Sequence, residues 1–177
     1  GLIVSKTRVG TTVLDSTHWN YFDADVLSWK VAQGFDADFR RDLTEVRLAL
    51  EPAAAAAAAE RSSDEDVAEL RRCIAAMTQA TGSARAYAEA DLDFHRAVGR
   101  ASANVLMRSM SAVVETALVA QFTLSSPVRE QEEHEASVRG HEAIVDAIEA
   151  RDGAAAAEAM RGVIGHGVER IARADAG

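Results

Sequence analysis

Apolar residues recur along most of this chain at intervals of three and four, the spacing of one face of an α-helix. Phe39, Leu43, Val46 and Leu50 make one stripe, and Val67, Leu70, Ile74 and Met77 the next. Tyr87, Asp91, Phe94, His95 and Val98 form a third, and Leu106, Met110, Val113, Ala117 and Leu118 a fourth. A fifth helix is expected over about Glu130 to Arg151, with His141, Ile144, Val145 and Ile148 inward, and a sixth from Ala154 to about Arg173. Breaks fall at Thr81-Gly82-Ser83, Ser125-Ser126-Pro127 and Asp152-Gly153. Pro52 has no N–H to donate and is expected to interrupt and kink the first helix. The run Ala53 to Ala59 after it is good helix with side chains small enough for close packing. Ser63 with Asp66 resembles a capping box, and Asn104 is the expected cap of the fourth helix.

The first 35 residues read differently. The β-prone runs Gly1 to Val4 and Thr11 to Leu14 flank a tip carrying Lys6, Arg8 and Gly10, which predicts a β-hairpin. A hairpin alone is unstable in water, so residues 1–14 are expected to be the remnant of a longer protein. Residues 15–35 read as a linker: His18, Trp19, Tyr21 and Phe22 cluster as if docking, and Asp23 or Asp25 caps a short helix through about Gln33 that Gly34 ends. Residues 36–175 form the main domain. The expected fold is all-α, an antiparallel bundle of six to seven helices with a short N-terminal β-hairpin.

The 177 residues suffice for one domain with a sizeable core, and the 48% hydrophobic content marks a folded chain. The formal net charge of −9 repels nucleic acid and anionic membrane, so any contact with DNA needs a separate basic element. A single cysteine, Cys73, excludes an internal disulfide framework and reads as a reduced core thiol. No run approaches the roughly 20 apolar residues of a membrane span, and no signal peptide is visible, which predicts a cytoplasmic protein.

Asp91 and His95 lie four apart on an otherwise apolar stripe, and such groups are costly in a core unless satisfied. His141 points inward from another helix, and Arg47 borders the core face of its own. A carboxylate and two histidines on two helices suit a divalent metal: zinc first, with nickel, manganese or iron as alternatives. Hydrogen bonding between Asp91 and His95 is the competing reading, and Arg47 has Glu45, Glu51 and Asp91 as candidate partners. The facing of His166 is open. No convincing nucleophile and no glycine-rich phosphate loop accompany these residues, which argues against an enzyme. A metal-dependent enzyme acting on a hydroxy acid and a purely structural dimerisation bundle stand as alternatives.

In order along the chain come Leu43-Thr-Glu45-Val-Arg47-Leu-Ala-Leu-Glu51, Asp91-x-x-Phe94-His95, Ala103-Asn104, Gly140-His141-Glu-Ala-Ile144-Val-Asp-Ala-Ile148, and Asp152-Gly153 with Ala157 and Met160. This set resembles the effector-binding (FCD) domain of FadR-type regulators in the GntR superfamily, over about residues 36–175. Gly1 to Val4 with Gly10 to Val13 looks like the wing of a winged helix-turn-helix, and His18 to Leu27 resembles the linker of the sugar-acid branch. The resemblance implies a homodimeric transcription factor whose helical domain binds a small carboxylate beside a metal ion. It reaches operator DNA through an N-terminal domain. It implies metal ligation by Asp91, His95 and His141, and effector contacts from Arg47, Asn104, Ser137, Asp91 and His141. Where many members carry a third histidine on the last helix this chain has Val163, with His166 one turn on as a substitute. The implied partners are a sugar acid, DNA and a second copy, and no membrane.

Overall fold

The computed structural model describes residues 2–109 and 111–175. Gly1 and Met110, expected in the hairpin and in a core stripe, lie outside them. Strands β1 (Ile3–Lys6) and β2 (Gly10–Val13) pair antiparallel with Ile3 opposite Val13 and Lys6 opposite Gly10. Gly10 adopts a φ of 99°, in the region that a glycine enters without steric cost. A 3-10 turn at Ser16–His18 leads to α1 (Ala24–Gln33), capped by Asp23, whose carboxylate accepts from the backbone of Asp25 and Val26. Seven further α-helices come after it among the described residues: α2 (Ala37–Arg61), α3 (Asp64–Gln79), α4 (Ala84–Ala101), α5 (Val105–Ser109), α6 (Ser111–Leu124), α7 (Gln131–Glu149) and α8 (Gly153–Asp175).

The local signals that set these limits are visible. Ser63 and Asp66 form the reciprocal capping box at the start of α3. Ser83 caps α4, and Asn104 accepts from the backbone of Leu106 and Met107 to cap α5. Pro52 does not interrupt α2, which continues through it for 25 residues in all. The alanines beyond the proline are the reason: Ala54, Ala55, Ala57, Ala58 and Ala59 are all buried, and α8 packs on this surface. That burial offsets the roughly 3 kcal/mol that an internal proline costs. A Cβ on Gly153 would stand 3.2 Å from the carbonyl oxygen of Ala56, so α8 starts in contact with the α2 backbone. Arg151 closes the same corner by donating to the carbonyls of Ala59 and Ser62 at 3.2 and 2.9 Å.

The fourth predicted helix is described on either side of Met110, as α5 and α6, and Leu106 is exposed, not inward. It sits in the first turn of α5, where Asn104 fixes the backbone and no neighbour covers the side chain.

The main core is built by α2, α3, α4, α7 and α8 around Leu70, Met77, Tyr87, Phe94, Ile144, Ile148 and Met160. A smaller core joins Leu27 of α1 to Leu43, Val113 and Ala117, with Tyr21, Phe35 and Phe39 packed against it. Of the linker aromatics, Tyr21 docks there and Trp19 lies against it, whereas His18 and Phe22 are exposed, as is Trp29 of α1. No described helix is long and apolar enough to cross a membrane.

Candidate metal centre

Three helices bring the polar groups together inside the main core. On α4, the four-residue spacing aims Asp91 and His95 the same way. His141 enters from α7, and α2 contributes Arg47 and Glu51, again four apart. All five are buried, with His141 only 1% exposed.

Asp91 is the hub. Its Oδ1 lies 3.1 Å from Nε2 of His141 and its Oδ2 lies 3.6 Å from Nε2 of His95. One ligating atom from each of Asp91, His95 and His141 can be chosen so that all lie within 4.8 Å of one another. The far side of each imidazole is held by a different group. Nδ1 of His141 lies 2.7 Å from the carbonyl oxygen of Ser137. A carbonyl only accepts, so Nδ1 carries the proton and donates, which leaves Nε2 with its lone pair when the ring is neutral. Nδ1 of His95 lies 2.5 Å from Oε2 of Glu51, an ionised carboxylate that favours the proton on that nitrogen. The ring of Phe94 stands edge-on to both imidazoles, 5.8 and 5.0 Å between centroids, and fixes their planes.

Burial alone would raise the carboxyl of Glu51, but Arg47 and His95 outweigh it and bring it down to about 2. The Arg47 contact is close, with Nε donating to Oε1 at 2.5 Å. Burial likewise works against ionised Asp91, and His141, His95 and Arg47 together hold it below the ordinary carboxylate value.

On the sides of the rings that face one another, Asp91 Oδ2, Nε2 of His95 and Nε2 of His141 lack a hydrogen bond of good geometry. Buried polar atoms are rarely left so. The competing hydrogen-bonded core pair predicts the reverse. A divalent cation accepts lone pairs from the same atoms without needing a shared proton, and the carboxylate–imidazole backing of His95 by Glu51 is the usual support for such a ligand. The residues present therefore fit a metal ion. Open coordination positions would remain for small-molecule oxygens.

Other candidates stand apart. His166 is exposed on α8 and lies outside the cluster. The side-chain carbonyl of Asn104 is spent on the α5 cap. The Ser137 hydroxyl meets the Tyr87 hydroxyl at 2.7 Å, so the residue acts on the site through its backbone carbonyl. His134 is a core histidine, its Nε2 2.8 Å from the carbonyl of Met77. Val163 packs against α7, its Cγ2 3.1 Å from where a Cβ on Gly140 would be. Cys73 is buried and its thiol is pushed up to about 11, mainly by that burial, which keeps it un-ionised near neutrality. Glu51, between Arg47 and His95, is the member of this cluster that the sequence offered only as one of three candidate partners for Arg47.

Comparison with known proteins says which family carries this helical bundle and its buried Asp-His-His group. Residues 42–166 match the FCD domain model, and the chain belongs to the FCD-containing GntR family of transcriptional regulators. The galactonate operon transcriptional repressor of Escherichia coli is 30% identical over 96% of this chain and 74% of that protein. The uncharacterised HTH-type transcriptional regulator YieP of the same organism is 26% identical over 93% of this chain and 70% of its own length. Among solved structures, Streptococcus agalactiae GntR superposes with a TM-score of 0.66 at 22% identity, over 93% of this chain and 73% of that one. E. coli McbR/YncC gives a TM-score of 0.66 at 15% identity, over 97% and 77%. These two share the fold. The relatives are regulators, not enzymes.

Proposed function

We propose that this chain is the effector-sensing, dimerising part of a cytoplasmic repressor that answers to a small carboxylate, in the sugar-acid class, bound beside a divalent metal ion. The observation that carries this reading is the buried Asp91–His95–His141 group, whose facing atoms lack hydrogen bonds. Asp91, His95 and His141 would hold the ion, with zinc the first candidate and nickel, manganese or iron the others. When bound, it would supply a Lewis-acidic centre for carboxylate and hydroxyl oxygens.

The chain's own residues do the rest. Ser137 and Glu51 orient the two imidazoles, and Phe94 keeps water from their edges. Asn104, engaged in a helix cap, and His166, outside the cluster, are dropped from the ligand set. Arg47, implied as the grip on the effector's carboxylate, already holds Glu51, so any contact with the effector is made alongside that pair. A carboxylate that binds one arrangement of α2, α4 and α7 better than another shifts the population toward it. The shift passes through α1 and Tyr21 of the linker, which pack on α2 and α6. Residues 2–14 then represent the wing of a DNA-binding domain whose operator affinity falls. The sugar-acid class is supported by the galactonate repressor's resemblance along 96% of this chain, and by a site too polar for a fatty acyl group.

The test is thermal melting of the metal-assayed protein against a panel of aldonates. One aldonate should raise the midpoint by mass action, and chelation should abolish the rise. No bound metal together with no shift for any acid would leave Asp91, His95 and His141 as core residues and end the proposal.

A further inference from the structure

Asp91, His95 and His141 are all buried, so a ligand reaches them only when part of the surrounding wall moves. A fissure of about 40 Å3 leads toward them. Its wall runs from the exposed Arg108 on α5, past Arg96, Gly99 and Met107, to the buried Glu51 and His95. That volume admits about one or two waters and no organic acid, so the fissure is an approach, not a binding pocket.

The movable side of the fissure is α5. It has five residues, too few to be stable as a helix by itself. Val105 and Leu106 are 61% and 74% exposed, and of its three apolar side chains only Met107 packs on the main core. It lies across α4 at Gly99, where a Cβ would stand 3.9 Å from the Cα of Arg108. The residue that joins it to α4, Ala103, has a φ of 51°, a left-handed conformation that a Cβ disfavours. Moving α5 away relieves that strain and uncovers little core beyond Met107.

The charges along the wall are unequal. Arg96 is answered by Glu115 and Asp93, and Glu51 at the floor is answered by Arg47. Arg108 makes no side-chain hydrogen bond or ion pair with a described residue. The uncompensated charge at the mouth is therefore positive, which concentrates anions there.

We propose that this fissure is the entrance to the buried Asp91–His95–His141 group, with α5 swinging on Ala103, Met107 as the plug and Arg108 as the side chain that selects negative charge. The proposal rests on the reading of that group as a ligand site, and adds the route by which a small anion reaches it.

The test is thiol labelling of the metal-free chain with no effector present, so its result is separate from those of the metal and aldonate measurements. In a Cys73→Ala background, Ala54→Cys places a sulfur in the fissure wall at a residue 6% exposed. Its rates with a sulfonate-bearing and a trimethylammonium-bearing methanethiosulfonate are compared, each normalised to a small neutral thiol. Labelling should outpace global unfolding. The sulfonate reagent should be favoured about threefold at low salt, and the preference should fade at about 1 M chloride. Arg108→Glu should reverse it. Met107→Ala should speed labelling more than it speeds global unfolding. Leu50→Cys, half-buried in the same wall, is a second reporter and should show the same preference. Labelling of both reporters only at the rate of global unfolding would overturn the entrance. A charge preference untouched by Arg108→Glu would overturn the role of Arg108, and equal effects of Met107→Ala on labelling and unfolding would overturn that of α5.

Discussion

Glu51 stands between Arg47 and His95, and its charge state is set by that position. Its carboxyl falls from an ordinary 4.5 to about 2 in the folded chain. A depressed carboxyl stabilises the fold above its unfolded value, and that contribution is lost as pH falls from about 4.5 through about 2. Glu51→Gln should therefore flatten the acid limb of the stability profile in that window, as read by denaturant unfolding at a series of pH values. An unchanged limb would count against the buried pair. Arg47→Ala should do more than remove a contact, because it strands the Glu51 carboxylate in the core, at a cost of about 3–5 kcal/mol. Pairing it with Glu51→Gln should recover part of that loss, and strict additivity would contradict the pairing. The inward Arg47, Asp91, His95 and His141 were legible in the sequence, since period and neighbours alone place a side chain on a stripe. Glu51 was not, because Glu45, Glu51 and Asp91 were all within conceivable reach of Arg47. Only the docking of α2 against α4 singles out Glu51 and turns its second oxygen to His95.

At the scale of the element, local signals marked most helix ends and misjudged the interior of α2. Side-chain caps at Asp23, Ser63 and Asn104 are local, so the sequence reveals them. The passage of α2 through Pro52 is a tertiary effect, resting on the alanine surface that α8 covers. The close approach of α8 to α2 yields a prediction. Gly153→Ala puts a methyl 3.2 Å from the Ala56 carbonyl oxygen, which is backbone and cannot swing aside. It should lower stability by about 1–3 kcal/mol, some 2–4 °C in midpoint per kcal/mol for a chain of this size, despite alanine's better helix propensity. A more stable variant would show that the two helices separate more easily than their packing implies.

At the scale of the whole molecule, charge and core act together. A body of net charge −9 carries only Lys6 and Arg8 as cations in its hairpin. The chain should therefore bind operator DNA weakly, with affinity falling steeply as salt rises, in a titration by fluorescence anisotropy. Tight, salt-resistant binding would contradict this. The same molecule places its most polar cluster at the centre of its largest core, where it is tolerable only if something completes it. Calorimetric titration of zinc into the metal-stripped chain, and into its His141→Ala variant, tests that claim most directly. The account predicts one site per chain in the parent and its loss or severe weakening in the variant. Failure of the parent to bind, or equal binding by both proteins, would contradict it.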